Sequence, residues 1–341
     1  MGGISFSAQH LPDLLSETAG YKAGLTLSVE QMCDLFSGTE YADIIQQAEK
    51  QGIRLRSEEC EELFYALYHR IGYTEEEYRG WMVESARLFH KYKGDPTQLK
   101  LYTDISDLFV KRWQTMLEDA AKKGSKSLDP EPMLLEARKK FGNAGLKIMW
   151  EKIEIMDRAQ RLSPHSTPQY EESHSSISLD GLYDGNAPKP EFGTYIDQRY
   201  INFLYRNPDK LAVMHWRKFE ELTTEFFHRE GYQVELGPGT DDDGVDVRIW
   251  NPKDVTSNPP LCIVQCKRTK AKVDKLVIKG LYADVEHFNA KQGLIVTTSE
   301  LTPGARATIT TRGYPIEEVN KTGVYEWLTK LRVCGTGIVR I

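Results

Sequence analysis

The 341-residue sequence predicts an all-helical N-terminal domain followed by a mixed α/β domain whose central sheet is flanked by helices. Three observations carry that reading. Residues 28–163 place apolar side chains at three- and four-residue intervals almost without a break, which is the period of amphipathic helices. Residues 164–194 are rich in Ser, Pro, Gly and acids, and the periodicity vanishes. From residue 195 onward, short apolar runs alternate with helical patterns.

In the first part, Ser28 with Gln31 and Thr74 with Glu77 have capping-box spacing. Segments 58–71, 74–92, 104–122 and 130–141 read as helices, with Gly72, Gly94, Gly124 and Gly142 near their ends. Trp81, Trp113 and Trp150 are expected in the core of this domain, 1–163, which carries no catalytic motif. The stretch 164–194 is expected to be a flexible linker, with His165 and His174 solvated. In 195–341, a helix at 211–229 closes on Gly231. Strands follow at 232–236, 245–250 and 261–267, then a helix at 274–289 and a strand at 293–297. A helix at 302–311, a strand at 315–319 and a helix at 324–331 complete the order, with 261–267 as the central strand.

Composition narrows the class. With 40% hydrophobic and 28% charged residues, the chain reads as an ordinary globular protein. No stretch approaches the ~18 apolar residues of a membrane helix, and the start MGGISFSAQH lacks a secretory pattern. Five cysteines at 33, 60, 262, 266 and 334 form no C-x-x-C pair, so free thiols in a cytoplasmic setting are expected. The net charge of −6 divides into −8 over residues 1–200 (24 basic, 32 acidic) and +2 over 201–341 (20 basic, 18 acidic). Lys267, Arg268, Lys270, Lys272, Lys275 and Lys279 cluster in one window, which is either a solvated loop or a local phosphate-binding surface.

The central strand carries the chemistry. In the run IVQCKR, alternation puts Gln265 and Lys267 on one face, with Val264 and Cys266 on the other. In VDVRI, Asp246 faces away from its apolar neighbours, so neighbouring strands are expected to bring Asp246, Gln265 and Lys267 to one sheet edge. An acid, an amide oxygen and a lysine suit metal-assisted phosphodiester hydrolysis. The oxygens bind a hard divalent ion, and the lysine orients or deprotonates water or offsets charge on phosphorus. Asp241, Asp242 and Asp243 suggest a calcium loop, but Gly239 and Trp250 stand where that pattern needs acids, so a polar turn is expected, with Asp243 as outer support at most. Thr297, Thr298 and Ser299, with Arg306 and Arg312, are candidates for phosphate contact or for plain helix capping.

The ordered series DDDGVDVRIW and LCIVQCKR resembles the Mrr-type branch of the PD-(D/E)xK restriction-endonuclease superfamily over residues 200–331. The preceding KFEELTTEFFHREGYQVE and the following QGLIVTTSELTPGARA extend that likeness. The resemblance implies a restriction-endonuclease-like fold and a Mg²⁺-dependent (or Mn²⁺-dependent) DNA endonuclease of prokaryotic restriction or anti-phage defence. It implies Asp246 as metal ligand, Gln265 in place of the usual second acid and Lys267 as the catalytic lysine. It also implies Glu220 as a helical acid that restores the lost charge, and the Cys266 carbonyl as a further ligand. Arg268, Lys270, Lys272, Lys275 and Arg306 are the expected nucleic-acid contacts. Rival readings are a nuclease subunit of a larger assembly acting on RNA or branched DNA, and a DNA-binding module without catalysis. The helical domain is expected to serve targeting, partner binding or regulation, with homo-oligomer or partner contacts through it and no membrane partner.

Overall fold

The computed structural model describes residues 3–125, 128–166, 175–185, 187–239, 244–254, 256 and 259–333. His174, Asp241, Asp242, Asp243 and Cys334 lie outside the described residues. The elements of the first part are β1 (Gly3–Phe6), α1 (His10–Ala23), β2 (Leu25–Thr26), α2 (Val29–Leu35), α3 (Glu40–Lys50), β3 (Ile53–Arg56) and α4 (Ser57–Arg70). Next come α5 (Trp81–Tyr92), α6 (Pro96–Lys123), α7 (Glu131–Leu162), β4 (Ile177–Ser178) and α8 (Gln198–Arg206). The last part comprises α9 (Trp216–Arg229), β5 (Gln233–Leu236), β6 (Val247–Trp250), β7 (Cys262–Lys267), α10 (Lys275–His287), β8 (Gln292–Thr297), α11 (Pro303–Arg312), β9 (Ile316–Val319) and α12 (Lys321–Leu331). Two compact units result, one of residues 1–4, 55–65 and 77–169, the other of 5–54, 66–76 and 170–341.

The first unit is built on α5, α6 and α7, whose buried Leu88, Ile105, Met133 and Met149 share one core. Asp95 caps α6 by accepting the Thr97 and Gln98 N–H groups. Gly142 leaves helical geometry at φ 68°, ψ −160°, so α7 is kinked where the sequence expected an end. Two of the three tryptophans expected in the core are on the surface: Trp81 is 54% exposed and Trp150 50% exposed. An indole on an amphipathic helix presents its ring to water when its stem lies on the outer face, and Trp150 Nε1 then donates to Glu154 Oε1 at 2.6 Å. The helix expected at 74–92 begins only at Trp81, and Thr74 forms no capping box.

The second unit draws on both ends of the chain, which the composition does not suggest. Residues 175–185, within the stretch expected to be a linker, are packed. Ile177 pairs with Leu25 in a parallel β2–β4 bridge, and Leu179 and Leu182 are buried. Arg199 draws this region together. Its guanidinium pairs with Asp197 and donates to the carbonyls of Gly24 (3.3 Å) and Ser175 (2.7 Å). At Gly72 the chain passes so close to Asn202 that a Cβ would lie 2.1 Å from that residue's carbonyl oxygen, and φ there is +83°.

The C-terminal sheet has five strands in the order β5-β6-β7-β8-β9. β5, β6 and β7 are antiparallel neighbours, while β7, β8 and β9 run parallel. Each parallel step needs a crossover, which α10 and α11 supply. They cover the face carrying Ile263, Ile295 and Ile316. Alternation sends Cys266 to the opposite face, where it meets Thr223 of α9. On α12, Trp327 stacks on Phe226 of α9 at 4.2 Å. β7 is the central strand, as expected, with Cys262, Ile263 and Val264 buried.

A buried polar network seats α9. Glu225 is 1% exposed and accepts the Thr194 and Tyr195 N–H groups at 3.0 and 2.7 Å. Arg229 holds its other oxygen at 2.7 Å and reaches on to Gln198 at 2.7 Å. Glu225→Ala leaves Arg229 without its carboxylate and two backbone donors unpaired. The expected loss is about 3 kcal/mol or more, read by chemical denaturation.

Candidate active site

Asp246 sits just before β6, beside the C-terminal end of β7. Val247 pairs with Val264, yet the Asp246 N–H also bonds the Val264 carbonyl at 3.0 Å. Two residues of one strand thus share a single partner, which is a β-bulge. The extra residue shifts the side-chain alternation by one step. Asp246 therefore turns toward the α9 face instead of the face it was expected to share with Gln265. Its Oδ2 accepts the Cys266 N–H at 2.6 Å. The Gly237 N–H bonds the Asp246 carbonyl at 2.8 Å, and a Cβ on Gly237 would lie 2.8 Å from the Val245 oxygen, so only glycine lets β5 end this close.

Glu220 reaches the same place from α9. It is 5% exposed, and its carboxyl interacts with that of Asp246 by charge and by a side-chain hydrogen bond. Glu221, about 100° further round the helix, pairs instead with Lys218 at 2.6 Å. Burial chiefly, and then the charge of Asp246, push the Glu220 carboxyl up to about 8, against the pull of Arg217, which donates to Oε2 at 3.0 Å. Cys266 stays a neutral thiol, because burial first and the Asp246 charge second raise it well above the ordinary range. Its S–H points at the Thr223 hydroxyl at 3.5 Å.

Gln265 leaves β7 on the other side from Cys266. Its Nε2 lies 3.3 Å from the Cβ position of Gly244, two residues before Asp246, and the Asp284 carboxylate lies 3.7 Å from the same point. Gln265 Oε1 is buried with no hydrogen-bond partner. Lys267 ends β7, where the Thr297 hydroxyl fixes its carbonyl at 2.8 Å, and its charge reaches the Cys266 thiol. The structure therefore brings Glu220, Asp246 and the Cys266 backbone into contact, with the Gln265 amide against the loop that enters Asp246. The contact seen at Cys266 is through its N–H rather than its carbonyl.

This donor set fits a hard divalent cation. Two carboxyls share one buried place at the end of β7, while the unpartnered Gln265 Oε1 leaves the strand on its other face. Among the described residues no group of three or more His, Cys, Asp or Glu assembles, so backbone, water and phosphate oxygens would complete the shell.

The expected nucleic-acid contacts divide. Lys270 and Lys272 are exposed on the segment joining β7 to α10 and Lys275 is exposed as the first residue of α10, although Lys272 pairs with Glu300 at 3.1 Å. Arg268 folds back onto the Ala212 carbonyl at 3.2 Å, with its Nε buried and unpartnered. Arg306 is held through two nitrogens by Glu318 at 2.8 and 3.0 Å. The Thr297 and Thr298 hydroxyls are spent on the Lys267 and Thr269 carbonyls, so they strap the end of β7. Sequence reasoning missed Arg217 and Asp284. Arg217 is signalled only by its i, i+3 spacing to Glu220.

The family model Mrr_cat, described as restriction endonuclease, matches residues 211–328. A search of curated proteins finds no match. Among solved structures, the MspJI restriction endonuclease in complex with a 27-mer oligonucleotide is matched at 20% sequence identity and a TM-score of 0.26, over 54% of this chain and 39% of that one. The chain thus spans about two fifths of that protein's length.

The raised Glu220 carboxyl has a thermodynamic consequence. The metal-free folded state holds a proton that the unfolded chain releases above the ordinary carboxyl range. That contribution to stability is complete at low pH and is lost as pH rises toward about 8. Thermal melts in chelator should show wild-type protein weakening between mildly acidic pH and pH ~8, with Glu220→Gln flatter across that window and higher-melting at its alkaline end. A Glu220→Gln protein that melts lower at alkaline pH refutes the buried carboxyl pair.

Proposed function

We propose that the protein is a divalent-metal-dependent endonuclease that hydrolyses phosphodiester bonds in DNA, since residues 211–328 match the restriction-endonuclease family model Mrr_cat. The observation that carries this reading is the buried carboxyl pair Glu220–Asp246 at the end of β7. Two carboxylates about 4 Å apart repel by about 4 kcal/mol at an effective dielectric of 20, so the site favours a cation. Mg²⁺ or Mn²⁺, when bound, would polarise the phosphate and acidify water. Asp246 and Glu220 would hold it, aided by a backbone carbonyl such as that of Cys266, while Gln265 braces the loop that enters Asp246.

Lys267 stands at the end of β7 to orient the attacking water and to offset charge as it develops on phosphorus. The water oxygen gives up a proton to solvent as it bonds phosphorus, the bond from phosphorus to the leaving strand oxygen breaks, and that oxygen takes up a proton from solvent, so no net proton is gained or lost. Lys270, Lys272 and Lys275 would hold the strand's phosphates, while Arg268 and Arg306 are turned to protein partners. One site per chain cuts one strand at a time, so a double-strand break calls for two copies. A cytoplasmic restriction or anti-phage role suits free thiols and the absence, among the described residues, of any helix long and apolar enough to cross a membrane.

Plasmid DNA incubated with Mg²⁺ should be cut, and chelator should stop it. Asp246→Ala and Lys267→Ala should each lower the rate by at least ~10³-fold while melting close to wild type. Full activity in either variant sinks the assignment. Glu220→Gln should cripple cleavage and Glu221→Gln should not; the reverse pattern moves the helical acid by one residue.

A further inference from the structure

Arg217 is fixed beside the carboxylate pair from three directions. Its Nη1 donates to Glu220 Oε2 at 3.0 Å, in a pair whose side chains are 24% and 7% exposed. Its guanidinium also rests on Gly239. A Cβ there would lie 3.0 Å from Arg217 Nη1, 3.4 Å from Cζ and 3.2 Å from Trp216 Cη2, and φ is +88°. The positive φ favours glycine at that point, and a Cβ there would press on the guanidinium. His215, the N-cap of α9, accepts the Arg217 N–H on Nδ1 at 3.2 Å and so sets where the side chain begins.

We propose that Arg217 is a positioning residue that occupies Glu220 until a divalent cation takes that carboxylate, and that it then turns to a phosphate of the bound strand. This rests on the nuclease reading above. The arginine covers an oxygen that the ion needs, and its fixed positive charge repels the ion. In protein without DNA it is therefore a competitor. Once displaced, the guanidinium has lost its anion. Its planar fork matches two oxygens of a phosphate, and DNA delivers such a group to this place. The exchange makes metal and DNA mutually favourable, because each removes an obstacle to the other.

A role confined to structure would weaken metal binding and cleavage together, whereas competition moves them in opposite directions. Mn²⁺ titration of the full chain without DNA, followed by electron paramagnetic resonance, should show Arg217→Gln binding Mn²⁺ about five-fold more tightly than wild type. The same variant should cut plasmid at least ~10-fold more slowly at saturating Mn²⁺. Arg217→Lys keeps the charge and loses the fork, so its Mn²⁺ affinity should stay within about two-fold of wild type while cleavage recovers in part. Equal or weaker Mn²⁺ binding by Arg217→Gln overturns the proposal, and so does wild-type cleavage by that variant. If wild-type protein binds Mn²⁺ and Asp246→Ala does not, such a result removes the arginine's role alone. A wild-type protein that binds no Mn²⁺ removes the nuclease reading with it.

Discussion

Glu220 and Asp246 are two acids buried together where both cannot ionise cheaply, so a proton is held between them. Much of the C-terminal architecture answers that conflict. The bulge before β6 turns Asp246 toward α9 and gives one of its oxygens the Cys266 N–H. Arg217 leans on Gly239 to reach Glu220. Glu225, Arg229 and Gln198 hold α9 at the height that places Glu220 beside the strand ends. Thr297 and Thr298 stiffen the exit of β7, where Lys267 stands. A site that only stored negative charge would be a liability to the fold.

The order of elements in the C-terminal domain was readable because strands and helices there are short, distinctly periodic and separated by turn residues. The central place of β7 followed from a doubly apolar run that ends in Gln265 and Lys267. Glu220 was separable from Glu221 only through the family pattern, and the helix geometry agrees, since one meets Asp246 and the other Lys218. The facing of Asp246 was not readable. Alternation assumes an unbroken register, and a bulge is a property of two strands together.

Long-range partners account for the other differences. Nothing near Arg306 announces Glu318, and nothing in the acid- and serine-rich stretch before residue 194 announces that Ile177, Leu179 and Leu182 are buried. Gly24 and Ser175 are joined through Arg199, far from the first and near the second. Composition reports how a segment would behave alone, and these segments are not alone. The tryptophans show the converse: periodicity placed Trp81 and Trp150 on helices correctly, but type alone does not say which side of a helix faces the core.

Cys266 gives this arrangement a chemical taste. A thiol beside two carboxylates is the start of a soft-metal trap, because a thiolate would favour zinc and its heavier relatives over magnesium. Here the sulfur is packed against Thr223, on the far side of its own backbone from Gln265, and stays protonated. Around Asp246 the hard donors are then the carboxyl oxygens, beside a thiol that burial keeps protonated. A protonated sulfur is a poor ligand, so burial of Cys266 withholds from this face of β7 the soft donor that the sequence offers.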